Sequence, residues 1–257
     1  MRVPLPEAFL TTPLAHRGYH DLKAGRAENS LHAFAAAIAA GYGIECDIQL
    51  SADGVPMVFH DDDLDRVAAE PGPLIARSAA DLGRIRLKDS SDTIPTFAAV
   101  LRLVAGRCAL LVELKDQTGH MGETDARLET AVAAALELYR GPVALMCFNP
   151  HTVANLARLA PRLPRGLVTC AWRPDENPAL TPATCDRLRL IPDYDRTQSS
   201  FISHEAADLS RPRVAALKRQ GATVVCWTIT SQQAEAEARK IAQNITFEGY
   251  PAAMIGP

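Results

Sequence analysis

The sequence lacks the features that mark membrane-spanning, secreted and nucleic-acid-binding proteins. No stretch approaches the ~18 consecutive apolar residues of a membrane-spanning helix, and the opening MRVPLPEAFLTTPLAHRG lacks the apolar core of a secretory signal. The 27 basic and 30 acidic residues are well mixed, with a formal net charge of -3, which predicts no broad basic surface. We therefore expect a cytoplasmic protein with no stable membrane anchor and no nucleic-acid partner.

The six cysteines include no pair with CxxC spacing, which disfavours a zinc site of that type. Several of them lie within apolar, strand-like runs. Free thiols buried as small hydrophobic side chains are therefore favoured over disulfides or zinc ligands. The cysteines are Cys46, Cys108, Cys147, Cys170, Cys185 and Cys226.

Linkers rich in glycine, serine or proline are also missing, and no repeat of fixed period is visible. The chain has 257 residues, of which 47% are hydrophobic, and this is ordinary for a soluble protein with a sizeable core. A single α/β barrel commonly has this length. We therefore predict one domain over residues 1–257.

Short strand-like segments alternate with alanine-rich helix-like segments, which predicts a parallel sheet with crossover helices. The predicted strands are Leu14–Arg17, Gly43–Leu50, Pro56–His60, Ala109–Lys115, Val143–Phe148, Arg165–Cys170, Arg189–Pro192, Ala222–Thr228 and Asn244–Phe247. The predicted helices are Ser30–Ala40, Thr96–Ala105, Thr124–Tyr139, Pro150–Leu159, Pro182–Leu188, Pro212–Gln220 and Gln232–Ala242.

Eight parallel strands would close a barrel, and the ninth candidate, Pro56–His60, is explained by a hairpin. Asp53-Gly54 is a strong turn signal between it and the preceding strand, so this pair should be antiparallel. The charged, irregular segment 61–95 follows it and contains a helix-like piece at Ser78–Ile85. We expect this segment to be a small cap inserted within the barrel domain.

Acidic residues on two of the predicted strands indicate a metal site. Glu45 and Asp47 are two residues apart, so they share one face of their strand, and Glu113 lies near the end of the next barrel strand. Adjacent buried anions need compensation, and three carboxylates suit Mg²⁺ or Ca²⁺ better than zinc. The alternative is a structural network in which lysine or arginine neutralises the carboxylates.

Histidines and cations at other strand ends complete a candidate catalytic cluster. His16 and His60 each follow an apolar run, where neutral imidazole can act as a general acid or base. Arg17 and Lys115 can contact an anionic substrate, and guanidinium can grip phosphate oxygens with two hydrogen bonds. Such a set suits phosphodiester cleavage. The alternative for Arg17 is a plain charge balance with Glu28 or Glu45.

These motifs together resemble the glycerophosphodiester phosphodiesterase family. The matching elements, in chain order, are His16-Arg17-Gly18, Glu28-Asn29-Ser30, Glu45-Cys46-Asp47, Asp53-Gly54, Val58-Phe59-His60-Asp61 and Glu113-Leu114-Lys115. The resemblance covers essentially the whole chain and weakens after Asn149. It implies a TIM (β/α)8 barrel with a small insertion after the second barrel strand and its hairpin.

The resemblance also implies roles for individual residues. Glu45, Asp47 and Glu113 would hold a divalent cation, Mg²⁺ or Ca²⁺. His16 and His60 would be the acid/base pair, Arg17 and Lys115 would contact phosphate, and Phe148 and Trp227 would line the glycerol side of the pocket. The glycerol 2-hydroxyl would attack phosphorus and expel an alcohol, and water would then open the cyclic phosphate to give glycerol 3-phosphate.

Departures from the family pattern leave the substrate open. Ala27 stands where proline is usual, the segment WTITS lacks the usual asparagine, and Glu248-Gly249 stands where Thr-Asp is common. A lysophospholipase D, a cyclising phosphotransferase and a non-catalytic phosphodiester-binding protein remain alternatives. The remaining histidines are assigned surface or loop roles, and they are His20, His32, His120, His151 and His204.

Overall fold

The computed structural model describes residues 1–254, which form a closed barrel of eight parallel strands with helices between them. The strands are β1 Leu14–Ala15, β2 Gly43–Leu50, β3 Pro56–Val58, β4 Leu110–Leu114, β5 Val143–Cys147, β6 Arg165–Thr169, β7 Phe201–Glu205, β8 Thr223–Ile229 and β9 Asn244–Phe247. The helices are α1 Ala8–Thr11, α2 Leu31–Ala39, α3 Ala79–Leu82, α4 Phe97–Val104, α5 Arg127–Leu136, α6 Pro150–Leu159, α7 Pro182–Arg189, α8 Pro212–Arg219 and α9 Gln232–Ala238.

Strand β1 closes the barrel because it pairs in parallel with β2 on one side and β9 on the other. Strand β3 is the additional strand outside the eight-stranded barrel. It runs antiparallel to β2, with Leu50 opposite Pro56. The turn between them contains Gly54 at φ 81°, a conformation that costs glycine little. The predicted TIM barrel and its hairpin are confirmed.

The sixth barrel strand is where the sequence prediction was wrong. It lies at Phe201–Glu205, whereas the predicted strand Arg189–Pro192 begins on the last residue of α7 and runs into a short 3-10 helix, Pro192–Tyr194. Ile191 between them has φ 46°, which no strand residue adopts. The true strand was missed because Ser203, His204 and Glu205 make its second half polar.

Alternate side chains of β2 face two different environments. Ile44, Cys46 and Ile48 are buried in the apolar layer between the barrel and its helices, whereas Glu45 and Asp47 face the barrel interior. The interior below them is filled by apolar side chains from several strands, including Leu14, Leu111, Met146, Phe201 and Val225. This packed layer forms the floor on which the polar site rests.

The cysteines are all free thiols. Cys46, Cys147, Cys185 and Cys226 are buried, as predicted, whereas Cys108 and Cys170 are only partly buried. Burial raises the pKa of the Cys108 thiol to about 11, so even this less buried cysteine stays protonated near neutral pH. These residues therefore act as small apolar side chains.

Residues 61–95 lie between β3 and α4 and carry the short helix α3, in agreement with the predicted helical piece. We call this segment the cap. Leu64, Leu74 and Leu82 of the cap are buried together with Phe59 and Ala27 in a separate apolar cluster. The cap is therefore anchored against residues that directly precede His60 and Glu28. Within residues 1–254, the helices are too short or too polar to cross a membrane.

Candidate active site

A small cavity of about 100 Å³ opens at the carboxyl ends of the barrel strands, where active sites of this fold lie. It is lined by all nine residues that the sequence singled out: His16, Arg17, Glu45, Asp47, His60, Glu113, Lys115, Phe148 and Trp227. Met146, Ser203, Thr228 and Thr246 complete the lining. The topology thus brings together residues from both ends of the barrel sequence, from His16 to Thr246.

The three acidic residues form one carboxylate cluster. Glu45 and Asp47 share a face of β2, and Asp47 lies opposite Glu113 on the adjacent β4. Each contributes one carboxylate oxygen to a group in which these oxygens lie within 4.8 Å of one another. They are only 2%, 2% and 7% exposed, respectively. Burial and the charges of Asp47 and Glu113 therefore raise the pKa of Glu45 well above its usual value.

Cations neutralise two of these carboxylates and leave the third. Lys115 Nζ lies 2.8 Å from Glu113 Oε1 and 3.6 Å from Asp47 Oδ1. Burial alone would raise the pKa of Asp47, but the charges of Lys115, His60 and Arg17 hold it below its usual range. Glu45 instead accepts a hydrogen bond from the backbone N–H of Arg17 at 3.0 Å, and the described part of the chain offers it no side-chain ion pair.

This charge distribution fits a divalent cation better than a closed network of ion pairs. The carboxylate of Glu45, which has no side-chain ion pair among the described residues, lies beside two further carboxylates, and hard cations such as Mg²⁺ and Ca²⁺ prefer oxygen ligands. Cys46 points away into the helix layer, so no sulfur ligand competes for the site. The cluster therefore has the donor set that the sequence predicted for a cation.

Each of the two cavity histidines is held by a carboxylate through the same ring nitrogen. His16 Nδ1 lies 2.6 Å from Glu248 Oε2, and His60 Nδ1 lies 2.7 Å from Asp61 Oδ1. Such contacts fix the ring orientation and leave Nε2 to serve the cavity. Burial, assisted by nearby cations, lowers the pKa of His60 below its ordinary value of 6.5, although Asp47 and Asp61 oppose this.

Arg17 directly follows His16 and has a left-handed backbone conformation, with φ 54°. Its Nη1 donates to Glu28 Oε1 at 2.7 Å, and its Nε lies 3.5 Å from Asp47 Oδ2. The charge-balance alternative is therefore partly realised. However, Nε is buried without a hydrogen-bond partner among the described residues. A buried, unpaired donor in a cavity is costly unless a ligand accepts its hydrogen bond.

Aromatic side chains form one wall of the cavity. Phe148 follows β5, and its ring meets that of Trp227 on β8 edge to face, with centroids 5.6 Å apart. Trp227 Nε1 donates to the Ser203 carbonyl oxygen at 3.0 Å. The polar edge of the indole is therefore satisfied by the protein, which leaves its apolar surface for contact with a ligand.

Several residues of the site were not identified from the sequence. The Nδ2 of Asn29 donates to Asp47 Oδ2 at 2.9 Å, while Ser30 caps α2. The hydroxyls of Ser203 and Thr246 are buried at the cavity without hydrogen-bond partners in residues 1–254. Glu248 was noted only as a departure from the family pattern.

Of the remaining histidines, only one departs from its prediction. His204 is fully buried in β7, where Nδ1 lies 2.7 Å from Thr169 Oγ1, so the assigned surface or loop role is wrong. His20 contributes nothing to the cavity lining, but its Nε2 lies 3.4 Å from Glu248 Oε2, the same atom that contacts His16. His32 and His120 are exposed, as predicted, and His151 is partly buried near the start of α6.

The chain is similar to known proteins over nearly its whole length. The model of the glycerophosphoryl diester phosphodiesterase family matches residues 16–245. A Bacillus subtilis (strain 168) relative, whose name assigns this activity provisionally, is 23% identical over 93% of this chain and 94% of its own length. A glycerophosphodiester phosphodiesterase of Caldanaerobacter subterraneus subsp. tengcongensis is 28% identical over 62% of this chain and 66% of its own.

Solved structures share the fold. An Oleispira antarctica phosphodiesterase, determined in complex with its product sn-glycerol 3-phosphate, superposes with a TM-score of 0.77 at 22% identity and covers 95% of both chains. A glycerophosphodiester phosphodiesterase from Thermotoga maritima gives a TM-score of 0.68 at 18% identity and covers 91% of this chain and 92% of its own. At these identities the similarity establishes the barrel fold.

Proposed function

The chain belongs to the glycerophosphoryl diester phosphodiesterase family and is a phosphoric diester hydrolase, and we propose that it converts glycerophosphodiesters to glycerol 3-phosphate and an alcohol with the aid of a divalent cation. One observation carries the proposal: acid/base, phosphate-binding and cation-binding candidates from four strands or strand ends line a single cavity. The product complex of the Oleispira antarctica relative supports the same product class.

In this proposal Glu45, Asp47 and Glu113 hold the cation, either Mg²⁺ or Ca²⁺. When bound, the cation supplies positive charge that polarises the phosphoryl group. Lys115 stays protonated because, despite its burial, Glu113 and Asp47 hold its pKa above the usual value. Its ammonium group can therefore contact a phosphate oxygen as well as the carboxylates.

The two histidines would exchange protons with the substrate in opposite directions. His60, whose lowered pKa keeps it neutral near pH 7, takes the proton of the glycerol 2-hydroxyl as that oxygen bonds to phosphorus. The bond from phosphorus to the alcohol oxygen breaks, and protonated His16 gives its proton to that oxygen. Glu248, 2.6 Å from His16 Nδ1, pairs with the imidazolium form.

Opening of the cyclic phosphate would reverse these roles. Neutral His16 takes a proton from water as the water oxygen bonds to phosphorus, and protonated His60 returns its proton to the departing 2-oxygen. Both histidines end in their starting states. Throughout, the unpaired Nε of Arg17 donates to a phosphate oxygen, and Phe148 and Trp227 pack against the glycerol carbons.

The lowered pKa of His60 predicts the acid side of the pH profile. Because neutral His60 is the active form, the acid limb of kcat/KM should rise with pH and have its midpoint below 6.5, the ordinary histidine value. Initial rates with saturating cation, measured from pH 4.5 to 8, check this result. An acid limb with its midpoint at or above 6.5 would contradict the assignment of His60 as the first base.

The reaction itself is tested by phosphorus NMR. The protein is incubated with glycerophosphocholine, glycerophosphoethanolamine and lysophosphatidylcholine, each with Mg²⁺, with Ca²⁺ and with chelator. We expect glycerol 3-phosphate from the first two substrates only when a cation is present. Accumulation of a cyclic phosphate as the final product would favour the cyclising phosphotransferase, and binding without turnover would favour a phosphodiester-binding protein.

A further inference from the structure

Arg66 is a cap residue that reaches the surroundings of the cavity without lining the cavity itself. Its guanidinium forms two bidentate pairs. Nε and Nη2 donate to Asp61 at 2.6 and 3.0 Å, and Nη1 and Nη2 donate to Glu28 at 2.9 and 2.7 Å. Bidentate pairs add geometric definition as well as energy. One side chain therefore fixes the positions of two carboxylates.

Each of these carboxylates also contacts a residue that we propose to act in catalysis or in phosphate binding. Asp61 Oδ1 lies 2.7 Å from His60 Nδ1, and Glu28 Oε1 accepts from Arg17 Nη1 at 2.7 Å. The same two oxygen atoms accept from Nη2 of Arg66. Two hydrogen-bonded chains thus run from one nitrogen atom to the cavity, and they end on His60 and on Arg17.

The backbone near Arg66 is held in place by packing. Leu64, two residues earlier, is fully buried in the cap cluster together with Phe59 and Ala27. The backbone N–H of Lys88 donates to the carbonyl oxygen of Val67, the residue that follows Arg66, at 2.8 Å. Arg66 is therefore presented to the site from an anchored segment.

We propose that Arg66 is a positioning residue that couples the acid/base side of the site to its phosphate-binding side, an inference that rests on the proposed function. The Arg66 side chain is 50% exposed, so solvent screens its charge and its main effect is on orientation. Without it, Asp61 would be free to rotate away from His60. The full charge of Glu28 would then fall on Arg17 and draw its guanidinium away from the substrate phosphate.

Replacing Arg66 with alanine should therefore impair both parameters of catalysis. We expect kcat for glycerophosphoethanolamine with Mg²⁺ to fall roughly 10- to 100-fold, as when residues that orient catalytic groups are removed, and KM to rise. The matched control is Arg77→Ala, because Arg77 is a cap arginine whose side chain, among residues 1–254, bonds only within the cap, to Glu70 and the Pro71 carbonyl oxygen. Thermal midpoints of both variants, measured by calorimetry, distinguish a loss of active-site positioning from a loss of folded protein.

Single variants of the two carboxylates distinguish the effects of the two hydrogen-bonded chains that start at Arg66. Asp61→Asn should mainly lower kcat, because it acts on His60, and Glu28→Gln should mainly raise KM, because it acts on Arg17. The double variant Asp61→Asn with Arg66→Ala should have nearly the kcat of Arg66→Ala alone. Added guanidinium at millimolar concentration should restore part of the Arg66→Ala activity and should not affect Arg77→Ala.

The geometry of the guanidinium gives a further test. Arg66→Lys keeps the charge but cannot form two bidentate pairs, so it should stay impaired. Full activity of Arg66→Lys or of Arg66→Ala, or a loss no greater than that of Arg77→Ala, would overturn the inference while wild-type turnover remained intact. A wild-type protein without turnover would instead overturn the proposed function, and this inference with it.

Discussion

Replacing either His16 or His60 with alanine is expected to lower kcat by about 10² to 10⁴-fold, the usual contribution of a positioned general acid or base. Each imidazole lines the cavity and is held by a carboxylate through Nδ1, so its loss removes a proton acceptor or donor at phosphorus. KM should change much less than kcat because neither ring is the main phosphate contact. Steady-state kinetics with a coupled glycerol 3-phosphate assay measure both parameters.

The control for this prediction is His120→Ala. His120 is exposed and its Nδ1 lies near the Thr118 carbonyl oxygen, away from the cavity lining. It should keep wild-type kinetics. Turnover within a factor of a few of wild type in either cavity-histidine variant would show that the corresponding acid/base assignment is wrong.

Replacing Glu45 with glutamine is expected to abolish cation-dependent turnover while it stabilises the cation-free protein. Glu45 is buried, carries no ion pair in the described chain and lies beside two other carboxylates. Its pKa is therefore raised in the folded state relative to the ordinary value of 4.5. A raised carboxyl pKa means that stability is lost as pH rises above about 4.5 and the group ionises in the fold.

The amide keeps the shape of the side chain and removes this penalty. Above neutral pH the cation-free variant should be more stable than the wild type by about 1 to 3 kcal/mol, or roughly 3 to 10 °C in Tm. The difference should shrink as the pH falls towards 4.5 and vanish below it, where the wild-type carboxyl is protonated in both the folded and the unfolded state. A hundredfold excess of Mg²⁺ over its Kd should stabilise the wild type by about 2.7 kcal/mol and the variant by much less.

Glu137→Gln provides the matched control because Glu137 is an exposed carboxylate at the end of α5. It should leave both stability and cation response unchanged. A Glu45→Gln variant that is less stable than the wild type without cation, or that keeps its response to Mg²⁺, would favour the structural ion-pair network instead.

The barrel could be predicted because its local patterns are strong. Apolar strands alternate with helices along most of the chain, and Asp53-Gly54 marks the hairpin that explains the additional strand. The prediction missed strand β7 because two of its adjacent polar residues serve the cavity and a buried hydrogen bond on the opposite face of the strand. Ser203 faces the site and His204 contacts Thr169, so the apolar pattern on which strand prediction depends is missing.

The cavity residues could be predicted because parallel strands end at one rim, so polar residues at strand ends converge there. Glu45, Asp47 and Glu113 are examples, since their spacing alone places them on neighbouring inward positions. The residues that orient the catalytic and phosphate-binding side chains could not be found in this way. Glu248 meets His16 across 232 positions, and Arg66 meets Glu28 across 38. Such contacts depend on barrel closure and on the path of the cap.

If one cation-dependent cavity hydrolyses glycerophosphodiesters, removing the cation must stop turnover and restoring it must bring turnover back. The wild-type protein is treated with chelator, and glycerol 3-phosphate release from glycerophosphoethanolamine is followed before and after Mg²⁺ or Ca²⁺ is restored. We predict no turnover with chelator, full recovery with a restored cation, and no recovery in Glu45→Gln. Undiminished turnover with chelator, or equal recovery in Glu45→Gln, would contradict the account.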